Sequence, residues 1–148
     1  MKKIWISVLL TVFLVAPLTA CGTARAEFRD GYYTARAAEY NFGWKEYITI
    51  MVKGGSIVSV EYNAENPSGF IKSWDNAYMQ NMLHTSGTYP NEYTRFYAAQ
   101  LLERQEADRI DALSGATSSY GSFQKLAAAV LEQARKGDSS IVFVDTAH

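Results

Sequence analysis

The stretch Met51-Val52-Lys53-Gly54-Gly55-Ser56-Ile57-Val58 constrains the fold of this chain more than any other. Before it, residues 44–53 alternate, with Trp44, Ile48, Ile50 and Val52 on one face and Lys45, Thr49 and Lys53 on the other. After it, residues 56–63 resume the alternation, with Val58, Val60 and Tyr62 on one side. Side chains of a strand point to opposite faces in turn, so each run buries one face and wets the other. Two such runs joined by Gly-Gly predict a β-hairpin, because a tight turn needs positive φ at both central residues. A sheet is therefore the organising layer.

The other elements follow from spacing. Residues 31–38 form a further strand of period two, and residues 141–144 a short terminal one. Residues 63–73, containing Asn66-Pro67-Ser68-Gly69, read as loop. Ser73 is placed to cap a short helix carrying Trp74, Tyr78, Met79 and Met82, which stops at Ser86-Gly87. A second helix is expected from Pro90 to about Gln105, since Pro suits a first helical position. Phe123, Leu126, Ala127, Val130, Leu131 and Ala134 recur at intervals of three and four, which makes residues 119–136 a long amphipathic helix. Arg135 and Lys136 complement its negative end, and Gly137 is a fitting stop. The expected class is α+β: a small twisted antiparallel sheet with helices packed against it, the long C-terminal helix last. There is no internal repeat.

The first residues belong to another category. Met1-Lys2-Lys3 precedes a mostly apolar run over residues 4–15 that is too short to span a bilayer, and Leu18-Thr19-Ala20-Cys21 follows. This is the layout of a signal peptide. The last four residues resemble the bacterial lipobox, in which cleavage exposes a lipidated cysteine. Residues 1–20 are accordingly read as a lipoprotein signal peptide, Cys21 as the lipidation site, residues 21–29 as a tether and residues 30–148 as the domain. A lipid anchor at Cys21 would hold the domain on the extracytoplasmic face of the cell membrane, or on the outer membrane of a Gram-negative cell. Cys21 is the single cysteine, so stability has to come from the core and not from disulfides. With only His84 and His148 besides, no metal-ligand pattern is present. Loss of residues 1–20 takes away Lys2 and Lys3, leaving 12 basic against 15 acidic side chains and a formal charge of −3. That balance argues against nucleic acid as a partner.

The hydroxyl-rich segment Asp111-Ala112-Leu113-Ser114-Gly115-Ala116-Thr117-Ser118-Ser119 stands directly before the long helix. By local chemistry it is an N-cap, with Ser118 and Ser119 placed to accept from first-turn N–H groups. A helix start is also a phosphate site, and Gly115 and Ala116 are small enough to admit one. The two readings are compatible.

Asp111-Ala112-Leu113-Ser114-Gly115-Ala116-Thr117 matches the Asp-x-x-Ser/Thr-Gly-Ala-Thr/Ser motif, and the chain resembles the FMN-binding domain family. That family includes the flavin-bearing subunits of sodium-translocating NADH:quinone oxidoreductase and of the Rnf complex. A small lipid-anchored branch is similar from the hairpin, through Gly87-Thr88-Tyr89-Pro90, to the last helix. The resemblance implies FMN joined covalently to Thr117 through a phosphoester, made by an FMN transferase with FAD as donor. It implies that Asp111 is recognised by the transferase, and that Ser114, Gly115 and Ala116 shape the turn; Ser118 adjoins the cofactor. Where the pumping-complex members carry a Glu-Thr-Pro-Gly type loop, this chain has Glu65-Asn66-Pro67-Ser68-Gly69, so that loop's flavin contact is not carried over. The implied role is electron transfer at the membrane, with no catalytic acid, base or nucleophile. Tyr40, Phe42, Trp44, Trp74 and Tyr120 are read as core before flavin stackers, Lys72 as solvated before charge-neutralising, and His84 as without a role. Two other classes stay open: a lipoprotein holding a flavin or other planar ligand non-covalently, and a cofactor-free surface protein.

Overall fold

The computed structural model describes residues 28–147. The signal peptide, Cys21 and most of the expected tether therefore lie outside the described residues. Four strands, β1 (Gly31–Ala37), β2 (Lys45–Lys53), β3 (Ser56–Glu65) and β4 (Val142–Val144), form one sheet in the order β3-β2-β1-β4. Three helices, α1 (Asn76–Ser86), α2 (Pro90–Arg104) and α3 (Thr117–Lys136), complete the fold. The α+β class and the long C-terminal helix are as expected.

The hairpin forms at Gly54-Gly55, both with positive φ, and pairs β2 with β3 antiparallel. Its inward face differs in one respect. Met51 pairs with Ser59 and Val52 with Ile57, so Val58 is the extra residue of a β-bulge. The bulge turns Ile57 into the core and leaves Val58 exposed, while Val60 packs against the core and Tyr62 is buried in it. A second difference concerns β4. It pairs with β1 in parallel, which makes the sheet mixed and not wholly antiparallel. A three-residue strand carries no orientation signal of its own; its direction follows from where α3 delivers the chain.

α2 and α3 cover one face of the sheet, with Tyr93, Tyr97 and Leu101 of α2 and Phe123, Leu126, Val130 and Leu131 of α3 fully buried against Tyr33, Ile48, Ile50 and Tyr62. The opposite face is partly open and mixes polar groups with Tyr32, Tyr47, Met51 and Phe143. There Thr34 and Thr49 share a 2.9 Å hydrogen bond and Arg36 pairs with Glu65. Phe28 is buried, and the Arg29 N–H bonds the Ala134 carbonyl at 2.9 Å. The packed domain thus takes in two residues assigned by sequence to the tether.

The helix ends show which local signals were used. Asp75, not Ser73, caps α1, accepting from the Tyr78 N–H at 2.9 Å. Lys72–Trp74 is a separate 3₁₀ turn, and the Ser73 hydroxyl instead bonds the Asn63 amide. Gly87 closes α1 and Gly137 closes α3, both left-handed. Pro90 opens α2 at its first turn. α3 begins at Thr117, two residues earlier than periodicity suggests, with Ala116 in the cap position.

Candidate functional site

Ala116 makes no side-chain cap hydrogen bond. This overturns the reading of Ser118 and Ser119 as caps: Thr117, Ser118 and Ser119 are the first three helical residues of α3. Thr117 and Ser118 are exposed, Ser119 half-buried. Thr117 therefore stands exposed at the positive end of a 20-residue helix.

The turn that holds it there is built by residues distant in sequence. The buried Tyr97 hydroxyl accepts from the Leu113 N–H and donates to the Ala116 carbonyl, both at 3.2 Å. Gln100 pairs with the Asp111 backbone in both directions, accepting from its N–H at 2.9 Å and donating to its carbonyl at 3.3 Å. Tyr120 donates to the Ile110 carbonyl at 2.9 Å. Tyr62 donates to the Glu46 carboxylate at 2.7 Å and lies 3.1 Å from the Ser119 carbonyl. Burial, reinforced by Glu46, keeps the Tyr62 phenol protonated far above its usual range. The motif is thus a stiff platform in which side chains replace the hydrogen bonds that regular structure would have supplied.

Within the motif the residues divide their tasks. Gly115 has φ of 81°, and a Cβ there would overlap the Ser86 carbonyl oxygen and lie 3.1 Å from Thr88 Cγ2. Glycine is required because the turn packs directly on the end of α1. Ala116 is buried, so its small side chain packs within the core. Ser114 and Asp111 are exposed. Asp111 forms a 2.6 Å ion pair with Arg104, whose hydrogen bond and charge hold its carboxyl below the usual aspartate range. A depressed folded-state pKa means that this contribution is present above the unfolded pKa of about 3.9 and fades as pH falls through the folded value. Wild type and Asp111→Asn should accordingly differ in urea stability at pH 7 and converge near pH 2. A difference that persists unchanged in acid would assign the effect to something other than the ion pair.

Beside the platform lies a cleft of about 270 Å³, lined by Trp44 and Glu46 of the hairpin, Lys72, Tyr78 of α1, and Gly115, Ser118 and Ser119. Asn41 and Phe42 close one rim and also border a neighbouring hollow that contains Ser118. Trp44 is buried and meets Tyr78 edge-on with ring centroids 6.0 Å apart. Phe42 is 94% exposed at φ 49°, a strained conformation for an aromatic residue. Trp74 is 66% exposed and Tyr40 is also exposed, so the core reading fails for Tyr40, Phe42 and Trp74. It holds for Trp44, and Tyr120 is half-buried against the core. Lys72 is half-buried and not fully solvated. Its ammonium lies 4.8 Å from the Tyr78 ring centroid and 5.9 Å from that of Trp44. Burial works against its charge, but Tyr93, Tyr78 and Glu46 together raise its pKa above the ordinary lysine range. His84 sits in the last turn of α1, away from the cleft lining. The Glu65–Gly69 segment likewise contributes nothing to that lining.

Periodicity identified Tyr62 and Tyr97 only as buried faces. Their hydroxyls matter to the site, and the one available signal was chemical: a phenol in a core needs a polar partner.

Fold and site together define a small α+β domain whose last helix presents a threonine beside an aromatic, lysine-bearing cleft. No family model matches the sequence. It is 33% identical over 114 residues to the 15 kDa lipoprotein of Treponema pallidum (strain Nichols), covering 76% of this chain and 81% of that one. The chain belongs to the family of that lipoprotein. A crystal structure of a Clostridium perfringens protein, 37% identical, superposes with a TM-score of 0.77 over 80% of this chain and 98% of its own. A solution structure from Clostridium thermocellum, 31% identical, gives 0.50 over 71% and 91%. Among the described residues no helix is long and apolar enough to cross a membrane.

Proposed function

We propose that this protein is a lipid-anchored, extracytoplasmic electron carrier bearing FMN on Thr117. The observation that carries the reading is the placement of the motif. Its last threonine is exposed at the first position of α3, and the next two residues line the aromatic cleft. These residues fit a flavin: a hydroxyl to esterify, a helix start to hold phosphate, and rings to border a planar group.

In the attachment step the Thr117 oxygen bonds the phosphorus on the flavin side of FAD. The pyrophosphate P–O bond breaks, AMP departs with the bridging oxygen, and the threonine proton is released. An FMN transferase, with its own magnesium ion, performs this step and reads Asp111. Bound flavin would supply the redox chemistry. The chain's own contribution is to hold the ring arm rigidly at the α3 platform and to border the ring with Trp44, Tyr78 and Lys72.

Co-expression with an FMN transferase and FAD is the test. A yellow protein that stays yellow after denaturation and gel filtration supports the ester. One that bleaches supports non-covalent binding in the same cleft, and a colourless one a cofactor-free surface protein. Asp111→Ala should lower the modified fraction without abolishing it.

The membrane half of the proposal rests on Cys21 within Leu-Thr-Ala-Cys and on a relative described as a lipoprotein. A single acyl chain binds a bilayer only weakly, whereas two or more anchor stably. Cys21→Ser should leave unprocessed precursor without lipid label. Equal labelling of the variant would move the anchor elsewhere.

A further inference from the structure

Among the described residues Lys72 is the one cation on the wall of the cleft, and the fold holds it there by more than its own stem. Its ammonium is set over the Tyr78 ring and near Trp44. Burial opposes its charge, and the nearby Tyr93 and Tyr78 hydroxyls favour it. Glu46 is the other charged group on that wall, and its carboxylate is already engaged by the Tyr62 hydroxyl. A lysine in an exposed position gains nothing from such fixing; a surface ammonium is ordinarily left to solvent.

We infer that Lys72 is a positioning residue that sets the reduction potential of a flavin held in this cleft by presenting a fixed positive charge to its ring. The inference rests on the reading of Thr117 as the flavin site. Reduction by two electrons and one proton leaves the ring with a negative charge delocalised over its pyrimidine end. A cation held a few ångströms away in a partly buried site favours that charged product over the neutral oxidised ring. The same logic applies to sulfite, whose lone pair adds to the flavin N5 and leaves the ring anionic. Lys72 should therefore strengthen sulfite binding as well.

The experiment uses flavin-loaded wild type, Lys72→Met and Lys72→Arg, each produced with an FMN transferase. Lys72→Met keeps an apolar stem between the two rings and removes the charge; Lys72→Arg keeps the charge. Dithionite titration against a reference dye reads the equilibrium, and sulfite titration at the flavin absorbance band reads the adduct. In Lys72→Met the equilibrium constant for reduction should fall about tenfold, equivalent to about 30 mV for a two-electron couple. Sulfite affinity should fall by a similar factor, and Lys72→Arg should restore most of both. Loaded wild type and Lys72→Met with equal potentials and equal sulfite affinities would overturn this inference while leaving the flavin on Thr117. Wild type that takes up no flavin beside an active transferase would overturn both. If Lys72→Met does not fold, Lys72→Gln replaces it, and the same two readouts decide.

Discussion

Thr117→Val is expected to give a folded but colourless protein beside an active FMN transferase. Valine keeps the size and the β-branching and removes only the oxygen that the ester needs. Thr117 is exposed and sits at the first position of α3, so the loss of its hydroxyl leaves no buried polar partner stranded. Thr117→Ser retains an oxygen at the same place and should be modified at least in part. Intact-mass analysis of wild type should show one FMN increment, mapped to the peptide that contains residues 114–119. Retention of that increment in Thr117→Val would shift attachment to Ser114 or Ser118, both exposed on the same turn. Tyr97, Gln100 and Tyr120 hold the approach to α3 from behind, so a transferase would meet a turn that is already ordered.

Gly115→Ala should be the most destabilising single change in the motif. The residue pays for a left-handed backbone, about 1–2 kcal/mol for a non-glycine residue. It also meets the Ser86 carbonyl, which belongs to the backbone of α1 and cannot rotate away. Overpacking of this kind adds about 1–3 kcal/mol. The total of about 2–5 kcal/mol is large for a domain whose whole stability is on the order of 5–15 kcal/mol. Thermal melting should show it as a fall of at least about 8 °C. Gly69→Ala is the control. Gly69 has the same φ of 81°, yet nothing lies within 4 Å of the position a Cβ would take. It should incur the backbone cost alone. Equal losses for the two variants would show that the approach to Ser86 relaxes freely. A Gly115→Ala protein that melts early but still accepts flavin when cold would separate the packing role of this glycine from cofactor attachment.

Sequence by itself determined the parts of this protein that local geometry governs. The faces of β2 followed from a period of two, the buried stripe of α3 from a spacing of three and four, and the ends of helices from Pro90, Gly87 and Gly137. The hydroxyl-rich turn was legible too, as a motif and as the start of a helix. What tertiary structure decided was everything that depends on a partner far along the chain. The bulge at Val58 reversed the inward face at the start of β3, and α3 delivered β4 parallel to β1. Asp75 displaced Ser73 as a cap, and the cap position of α3 fell to Ala116. Lys72 became the cation of a cleft only because the hairpin brought Trp44 to it and α1 brought Tyr78. The reason is physical. Hydrophobic periodicity is written along one element and survives in any context. The hydrogen bonds that the Tyr97 hydroxyl accepts from a residue 16 further on and donates to one 19 further on exist only once the tertiary structure has packed, and no property of either segment alone announces them.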